Sequence, residues 1–275
     1  MRGRGVRETA FAAVRPMPHA LRHPALVARA NAPTPDAASL VEHAPDVLDQ
    51  GGVGSCEGHG WACAIATRAT ASGDPLNFVP SPDTLYRLAR CVERAAFPTG
   101  PAEPLGDDGT DSPAVIVAIE QYGVRAMNAP TPDGRYSDCT PEDCNAEPRL
   151  DELEQADRTR LVGAYAVTGS QADRVALCVA LLAAGVPVVT EEFVDTAYER
   201  LGPGVIVDHC DTSDPKGGGH CQCLLAYKRA ADGSFLFLQR NSWSRAWGSD
   251  GSVWITENMI GAATGLYAAD VRRAA

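Results

Sequence analysis

Between Asp49 and Ala66 the chain reads Asp49-Gln50-Gly51-Gly52-Val53-Gly54-Ser55-Cys56 and then, from Gly60 to Ala66, runs through small and apolar residues. That order predicts a tight glycine turn delivering Cys56 to the start of a helix, because glycine accepts backbone angles that other residues resist. The placement has chemical meaning. Backbone amides lacking intrahelical acceptors, together with the positive end of the helix dipole, favour a thiolate over a thiol. Gln50 lies just upstream with a side-chain amide able to donate to an oxyanion. A buried cysteine opening an ordinary core helix is the competing reading, and this segment alone leaves both standing.

Far downstream lies a second group of motifs: Gly217-Gly218-Gly219-His220, a strand-like run, Asn241-Ser242-Trp243, and then Trp247-Gly248-Ser249-Asp250-Gly251. Taken together, the segments resemble the papain family of cysteine peptidases. In that family a Gln-Gly-x-x-Gly-Ser-Cys stretch holds the oxyanion-hole glutamine and the nucleophile, here Gln50 and Cys56. The catalytic histidine follows small residues at the opening of a strand, and its orienting asparagine sits in Asn-Ser-Trp, here His220, Asn241 and Trp243. Weaker matches lie between, at Pro80 to Tyr86 and at Asp108-Gly109-Thr110 leading to Gln121-Tyr122-Gly123-Val124. The resemblance runs in order from about residue 40 to the C-terminal end. It implies an α+β fold with a helical lobe, a β-rich lobe and the active-site cleft between them.

Composition is compatible with this and narrows the partners. At 275 residues and 45% hydrophobic, the chain has enough material for one large core or two lobes. A net charge of −11 argues against nucleic acid as a main partner. No apolar run approaches the roughly 18 residues needed to span a bilayer, so no membrane partner is expected. The N-terminal stretch carries Arg2, Arg4, Arg7 and Arg15, but its apolar run is broken by Arg15, Pro16 and Pro18, so no secretory signal is read there. The compartment is left open, cytoplasmic or within a phage or other assembly.

Nine cysteines bring their own alternatives. The eight besides Cys56 are either reduced thiols or disulfide partners, with Cys139 and Cys144 placed to close a small loop. Cys210, Cys221 and Cys223 cluster with His209 and His220, which raises zinc as a third reading, although no metal and no cofactor is expected in the catalytic site. The resemblance implies a bridge from a cysteine three residues before the nucleophile; that position is Val53, so this bridge is absent.

Residues 1–45, rich in Arg, Pro and Ala, read as an extended lead-in, too short to hold the helical inhibitory prodomain common among papain relatives. Residues 46–150 read as the helical lobe and 151–275 as the β-rich lobe. Ala62, Ile65, Ala66 and Ala69 mark one face of a helix from Cys56 to near Gly73. Ser81-Pro82 and Ser112-Pro113 each supply a cap and a first turn, for helices reaching about Arg94 and Gly123. Turn composition fills 126–160, and a fourth helix runs from Gln171 to Ala184. Strands are expected at Val186–Phe193, Cys221–Lys228, Phe235–Gln239 and Ser252–Thr256.

The chemistry implied is nucleophilic. A cysteine has a reference pKa near 8.5, so a neighbouring His220 imidazolium is needed to make the thiolate the resting form. Asn241 would orient the imidazole, Trp243 shield their bond, and Gln50 with the Cys56 amide hold the oxyanion. His59, three residues after Cys56, is a rival base. Glu57 stands where close papain relatives carry tryptophan, and a carboxylate there is expected to make the thiol less acidic. The substrate-binding residues implied by alignment are Gly109, Gly219, Glu191 and Trp243, with Glu191 favouring a basic side chain two residues before the cut or standing as a solvated strand-end carboxylate. The expected function is peptide-bond hydrolysis through a thioester on peptide or protein substrates. The alternatives are acyl or peptidyl transfer by the same thioester, and a papain-like fold serving as a structural or binding component.

Overall fold

The computed structural model describes residues 18–29, 32–96, 106–127 and 160–273. In chain order these form a short helix α1 (Pro24–Ala28), strand β1 (Ala37–Ser39), helices α2 (Cys56–Ala71), α3 (Pro82–Ala96) and α4 (Ser112–Tyr122), and strand β2 (Arg160–Ala166). Helix α5 (Gln171–Ala183) follows, then β3 (Val188–Val194), β4 (Ile206–Val207), β5 (Gly218–Arg229), β6 (Phe235–Arg240), β7 (Ser252–Thr256), helix α6 (Glu257–Ala262) and β8 (Gly265–Arg273). The class is α+β.

The helix limits follow from local chemistry. Gly51 takes φ +59° and its amide donates to the Asp49 carboxylate at 3.0 Å, closing the turn that delivers Cys56 to the first turn of α2. Ser81 Oγ accepts from the Thr84 amide and Asp111 from the Ala114 amide, each capping a helix whose early turn carries proline. Gly123, at φ +81°, stops α4. A reciprocal Ser170–Asp173 capping box starts α5.

The eight strands form one sheet in the order β2-β8-β3-β5-β6-β7-β4, with β1 added alongside β5; β4 and β7 pair in parallel and the other ladders are antiparallel. Period-two alternation gives the sheet two apolar faces. Cys221, Cys223, Leu225 and Val189 pack against α2, α3 and α4, while Leu224, Val188, Leu266 and Ala268 join α5, α6 and the Tyr198–Trp243–Trp247 group. Trp61, Tyr86, Trp243 and Phe237 are fully buried, each worth roughly 1.5–3 kcal/mol of apolar burial.

Helix α2 runs through the middle, between the other helices and the sheet, and its small residues make that possible. A Cβ on Gly58 would lie 1.9 Å from the Pro82 carbonyl oxygen, and one on Gly60 would lie 2.6 Å from Cys221 Sγ. Gly58→Ala is therefore expected to push α2 off the start of α3, at a cost of about 2–3 kcal/mol and a melting point lower by roughly 5–10 °C. An unchanged melting curve would mean the two helices do not meet there.

Two expectations change. The described part of the segment before residue 46 is not a separate lead-in but is built onto the sheet. β1 pairs with Ala226–Lys228, His19 bridges to Ala166, and His23 is buried with its ring against Tyr165 and its Nε2 3.3 Å from the Ala269 carbonyl oxygen. Strands β2 and β8, and helix α6, stand where none was expected. Most of residues 126–160 and the Cys139–Cys144 loop lie outside the described residues.

Candidate active site

The two motif groups, distant in sequence, are bonded to each other. The Gln50 amide donates to the Ser242 carbonyl oxygen at 2.9 Å, the Ser244 amide donates to Leu48 O at 3.1 Å, and Asp49 bridges to Trp243. Ser242 Oγ also donates to Gln50 Oε1, and Gln50 Nε2 donates to Val53 O at 2.8 Å, which fixes the direction of the glutamine amide just before Cys56.

His220 is the third residue of β5. Its Nε2 lies 2.8 Å from Asn241 Oδ1, and its ring stacks on Trp243 with centroids 4.4 Å apart and 23° between planes. The Ser242 amide donates to the same Asn241 oxygen at 2.7 Å. Because that oxygen accepts from a backbone amide, His220 Nε2 must be the protonated nitrogen, and Nδ1 is left to exchange a proton with a nucleophile. The Asn241 amide is anchored on Gly251 O at 2.9 Å.

Cys56 occupies the first position of α2, at the positive end of the helix. Cys221, the residue after His220, packs under α2 against Gly60 and adjoins both Cys56 and Glu57. Cys56 and His220 both have 0% relative exposure.

His59 stands differently. Its Nδ1 lies 2.9 Å from the Ser55 carbonyl oxygen, and burial pulls the imidazole below its ordinary value against the opposing pull of Asp83. His59 is thus turned toward Ser55, the residue before the helix, and burial favours its neutral form.

The expected substrate-binding residues divide. Gly109, at φ +86°, donates its amide to Tyr86 OH at 3.1 Å, and Tyr86 in turn donates to Asp107 Oδ1, which also accepts from the Gly54 amide at 2.9 Å. This chain holds Gly109 beside the loop that leads into Cys56. Tyr86 closes the Pro80–Tyr86 match, but nothing in that motif signals its bond to Asp107, which stands outside any motif. Gly219 is half-buried on β5, directly before His220.

Glu191 and Trp243 do not stand as expected. Trp243 has 0% exposure and serves as the plate under His220, so it offers substrate no surface. Glu191 is 5% exposed and accepts from the Ser112 amide at 2.8 Å, at the start of α4. It is neither a subsite wall nor a solvated strand end. Helix and sheet close over it, and the Glu57 carboxyl meets it there. Ser112 Oγ donates to Glu57 Oε2 at 2.9 Å, and Trp61 Nε1 donates to that serine. Burial pushes the Glu57 acid well above the carboxylate range, and the neighbouring Glu191 charge pushes the same way. Glu191 is raised too, mainly by burial, while the Ser112 groups and a bond from Glu57 oppose the rise. Both carboxyls are thus held above the ordinary carboxylate value, Glu57 by burial and by the Glu191 charge, Glu191 by burial. Glu57 follows Cys56 in sequence, but its carboxyl is buried and turned toward Ser112 rather than toward solvent.

Beneath the His220–Trp243 stack lies a buried polar cluster that no motif signals. Glu192, the cross-strand partner of His220, accepts from Gln222 Nε2 at 2.8 Å and from Gln239 Nε2. Tyr198 OH lies 3.0 Å from the side-chain oxygens of both glutamines and sets its ring edge-on to Trp243. Burial pushes the Glu192 carboxyl up to about 8, the two amides pulling it partly back.

Among the described residues, no group of three or more His, Cys, Asp or Glu side chains is arranged to hold a metal. Cys221 and Cys223 face α2, whereas His209 is exposed on a turn, so the expected Cys/His cluster is not assembled. Seven described cysteines, these and Cys56 among them, are not joined in disulfides. Among the described residues no helix is long and apolar enough to cross a membrane.

A helical lobe presenting a cysteine at a helix start, against a sheet presenting a histidine–asparagine pair stacked on tryptophan, defines the class: the fold is that of the papain-like cysteine proteases. Solved structures agree with it over nearly the whole chain. Xylellain, a cysteine protease from Xylella fastidiosa, is 21% identical with a TM-score of 0.67, covering 99% of this chain and 97% of its own. Procathepsin B S9 from Trypanosoma congolense is 15% identical with a TM-score of 0.71, covering 98% and 87%. Digestive procathepsin L 3 from Tenebrio molitor is 20% identical, with a TM-score of 0.63 over 94% and 77%. No family model matches the sequence. A curated relative, the P34 probable thiol protease of Glycine max, is 35% identical over 65 residues, 24% of this chain and 17% of its own length.

Proposed function

We propose that this chain is a cysteine endopeptidase. The observation that carries the reading is the bonded run from His220 through Asn241 and Ser242 to Gln50, which joins the base to the oxyanion donor beside Cys56.

In the proposed reaction His220 Nδ1 takes the Cys56 proton, and the thiolate adds to the scissile carbonyl carbon. The oxyanion is held by Gln50 Nε2 and the Cys56 amide. The tetrahedral intermediate collapses with His220 protonating the leaving amine, and a thioester remains on Cys56. Water, deprotonated by His220, then releases the acid and restores the thiol. Asn241 keeps the imidazole in one tautomer throughout, and Trp243 keeps water from that hydrogen bond. The substrates are peptides or proteins.

One observation favours a second reading, a papain-like fold kept as a binding or structural component: neither Cys56 nor His220 has exposed surface. Labelling of reduced, folded protein with an epoxide peptidase probe, competed by a peptide aldehyde, decides between them. The peptidase reading expects stoichiometric, competable labelling at Cys56 together with cleavage of a peptide library. Absence of labelling overturns it. Products formed in the presence of added amines separate hydrolysis from acyl transfer.

A further inference from the structure

The polar cluster beneath the His220–Trp243 stack is closed to water: Glu192, Gln222, Gln239, Tyr198 and Thr190 are each at most 2% exposed. One end of each glutamine amide faces Glu192 Oε1 and the other faces Tyr198 OH, Gln222 at 2.8 and 3.0 Å and Gln239 at 2.5 and 3.0 Å. Four hydrogen bonds therefore close a ring. An amide donates only from its nitrogen end, so each glutamine supplies one proton to the ring whichever way it is turned, and the tyrosine hydroxyl supplies one more. Those protons fall one short of the bonds. A carboxylate adds none, whereas a carboxylic acid adds the one that is missing.

We propose that Glu192 is a carboxylic acid whose proton closes this ring, and that the ring is a positioning element, fixing Tyr198 against Trp243 and Trp243 under the His220 imidazole. Glu192 Oε1 donates to the Gln239 oxygen, with that amide turned end for end. The Gln239 nitrogen then donates to Tyr198 OH, Tyr198 donates to Gln222 Oε1, and Gln222 Nε2 donates back to Glu192 Oε1. The distances agree. At 2.5 Å the Glu192–Gln239 separation is that of an O–H···O bond and short for N–H···O, and Thr190 Oγ1, 2.8 Å from the same Gln239 atom, can donate its hydroxyl proton there. Glu192 Oε2 has no partner among the described residues. A carbonyl oxygen left without a partner in the interior costs far less than a carboxylate oxygen so placed. Burial, which pushes the acid up to about 8, acts in the same direction.

The ring reaches the histidine along two routes. Tyr198 sets its edge on Trp243, with centroids 6.1 Å apart and 76° between planes, and Trp243 stacks on His220. Glu192 also stands directly opposite His220 across the β3–β5 ladder, so the two side chains leave the same face of the sheet. Tyr198 approaches Glu192 from the segment after β3 with Cys210 beside it, while Glu191 and Glu57 meet on the other side of the sheet, at the start of α4. A neutral acid opposite His220 leaves the imidazole charge to Cys56 and Asn241; a carboxylate there would hold on to the imidazolium. The positioning role rests on the peptidase reading, whereas the proton on Glu192 does not.

Infrared spectroscopy of the full chain reads the proton. At neutral pH the wild-type minus Glu192→Gln difference should show the carbonyl band of a protonated carboxyl group, fading in wild type as pH rises through about 8. A carboxylate band in its place would overturn the proposal, as would failure of Glu192→Gln to fold, since an amide is as neutral as the acid it replaces. Tyr198→Phe tests the positioning, because it opens the ring and keeps the aromatic edge on Trp243. Its kcat in peptide cleavage should fall by roughly 3- to 10-fold at unchanged KM, a displaced base slowing the chemistry without weakening substrate binding. The NMR resonance of the His220 Nε2 proton should shift in the same variant, whether or not peptides are cleaved. An unchanged resonance, an unchanged kcat or a KM that rises in step would overturn the positioning role. Absence of all cleavage, with the infrared band and the shifted resonance both in place, would count against the peptidase reading instead.

Discussion

His220→Ala is expected to reduce peptide turnover by about 10³-fold or more, with little change in stability beyond the lost ring stack on Trp243. The magnitude follows from removing the proton acceptor for Cys56 and the proton donor for the leaving amine in one step. Fluorogenic peptide cleavage reads the rate. The pH profile of iodoacetamide alkylation at Cys56 reads the cause: its reactivity in mildly acidic solution should disappear, leaving the ordinary thiol limb at alkaline pH. His59→Ala should keep that acidic reactivity to within about tenfold, because His59 Nδ1 is engaged with the Ser55 carbonyl oxygen and burial disfavours its charged form. The reverse pattern would reassign the base to His59 and sink the proposed mechanism.

How far such roles can be read from sequence depends on whether they are set locally. The starts of α3 and α5 follow from Ser-Pro and Ser-Gln-Ala-Asp, where a cap and its first turn lie within four residues; α4 begins at the expected Ser-Pro but is capped one residue earlier, by Asp111, and α2 starts without a side-chain cap from Ser55. β7 matches its expected limits, Ser252–Thr256. β2 and β8 lie at one end of the sheet, and their ladder joins Arg160–Ala166 to Tyr267–Arg273. Nothing inside Gly265–Arg273, with its paired alanines and interior aspartate, announces a strand. The local pattern also put Glu191 on the same strand face as Val189, and the sheet keeps that parity, since both look toward α2 and α4. What the strand could not show is that the Ser112 amide and the Glu57 acid would meet the carboxyl there. Motifs alone single out His220, Asn241 and Gln50 as candidates, whereas the Tyr86–Asp107 link and the cluster around Glu192 depend on contacts between distant segments.

The carboxyl pair that replaced the expected subsite leads to the second large effect, on stability. Glu57→Ala should destabilise the fold by on the order of 3–5 kcal/mol, because it opens a cavity between α2 and the sheet and leaves Glu191 and the Ser112 hydroxyl without their buried partner. Glu57→Gln keeps the shape, and its amide can both accept from Ser112 and donate to Glu191, so it separates packing from ionisation. Both acids are raised in the folded protein above their unfolded values. The stabilisation they supply is therefore complete below the unfolded carboxyl value near 4.3 and declines as pH climbs through their raised folded values. Wild-type protein should lose stability from mildly acidic toward alkaline pH, while Glu57→Gln should lose less of it over the same interval. Denaturant unfolding of both proteins at a series of pH values measures the two slopes. Parallel slopes would show that Glu57 is ionised in the native state and would overturn this account of the pair.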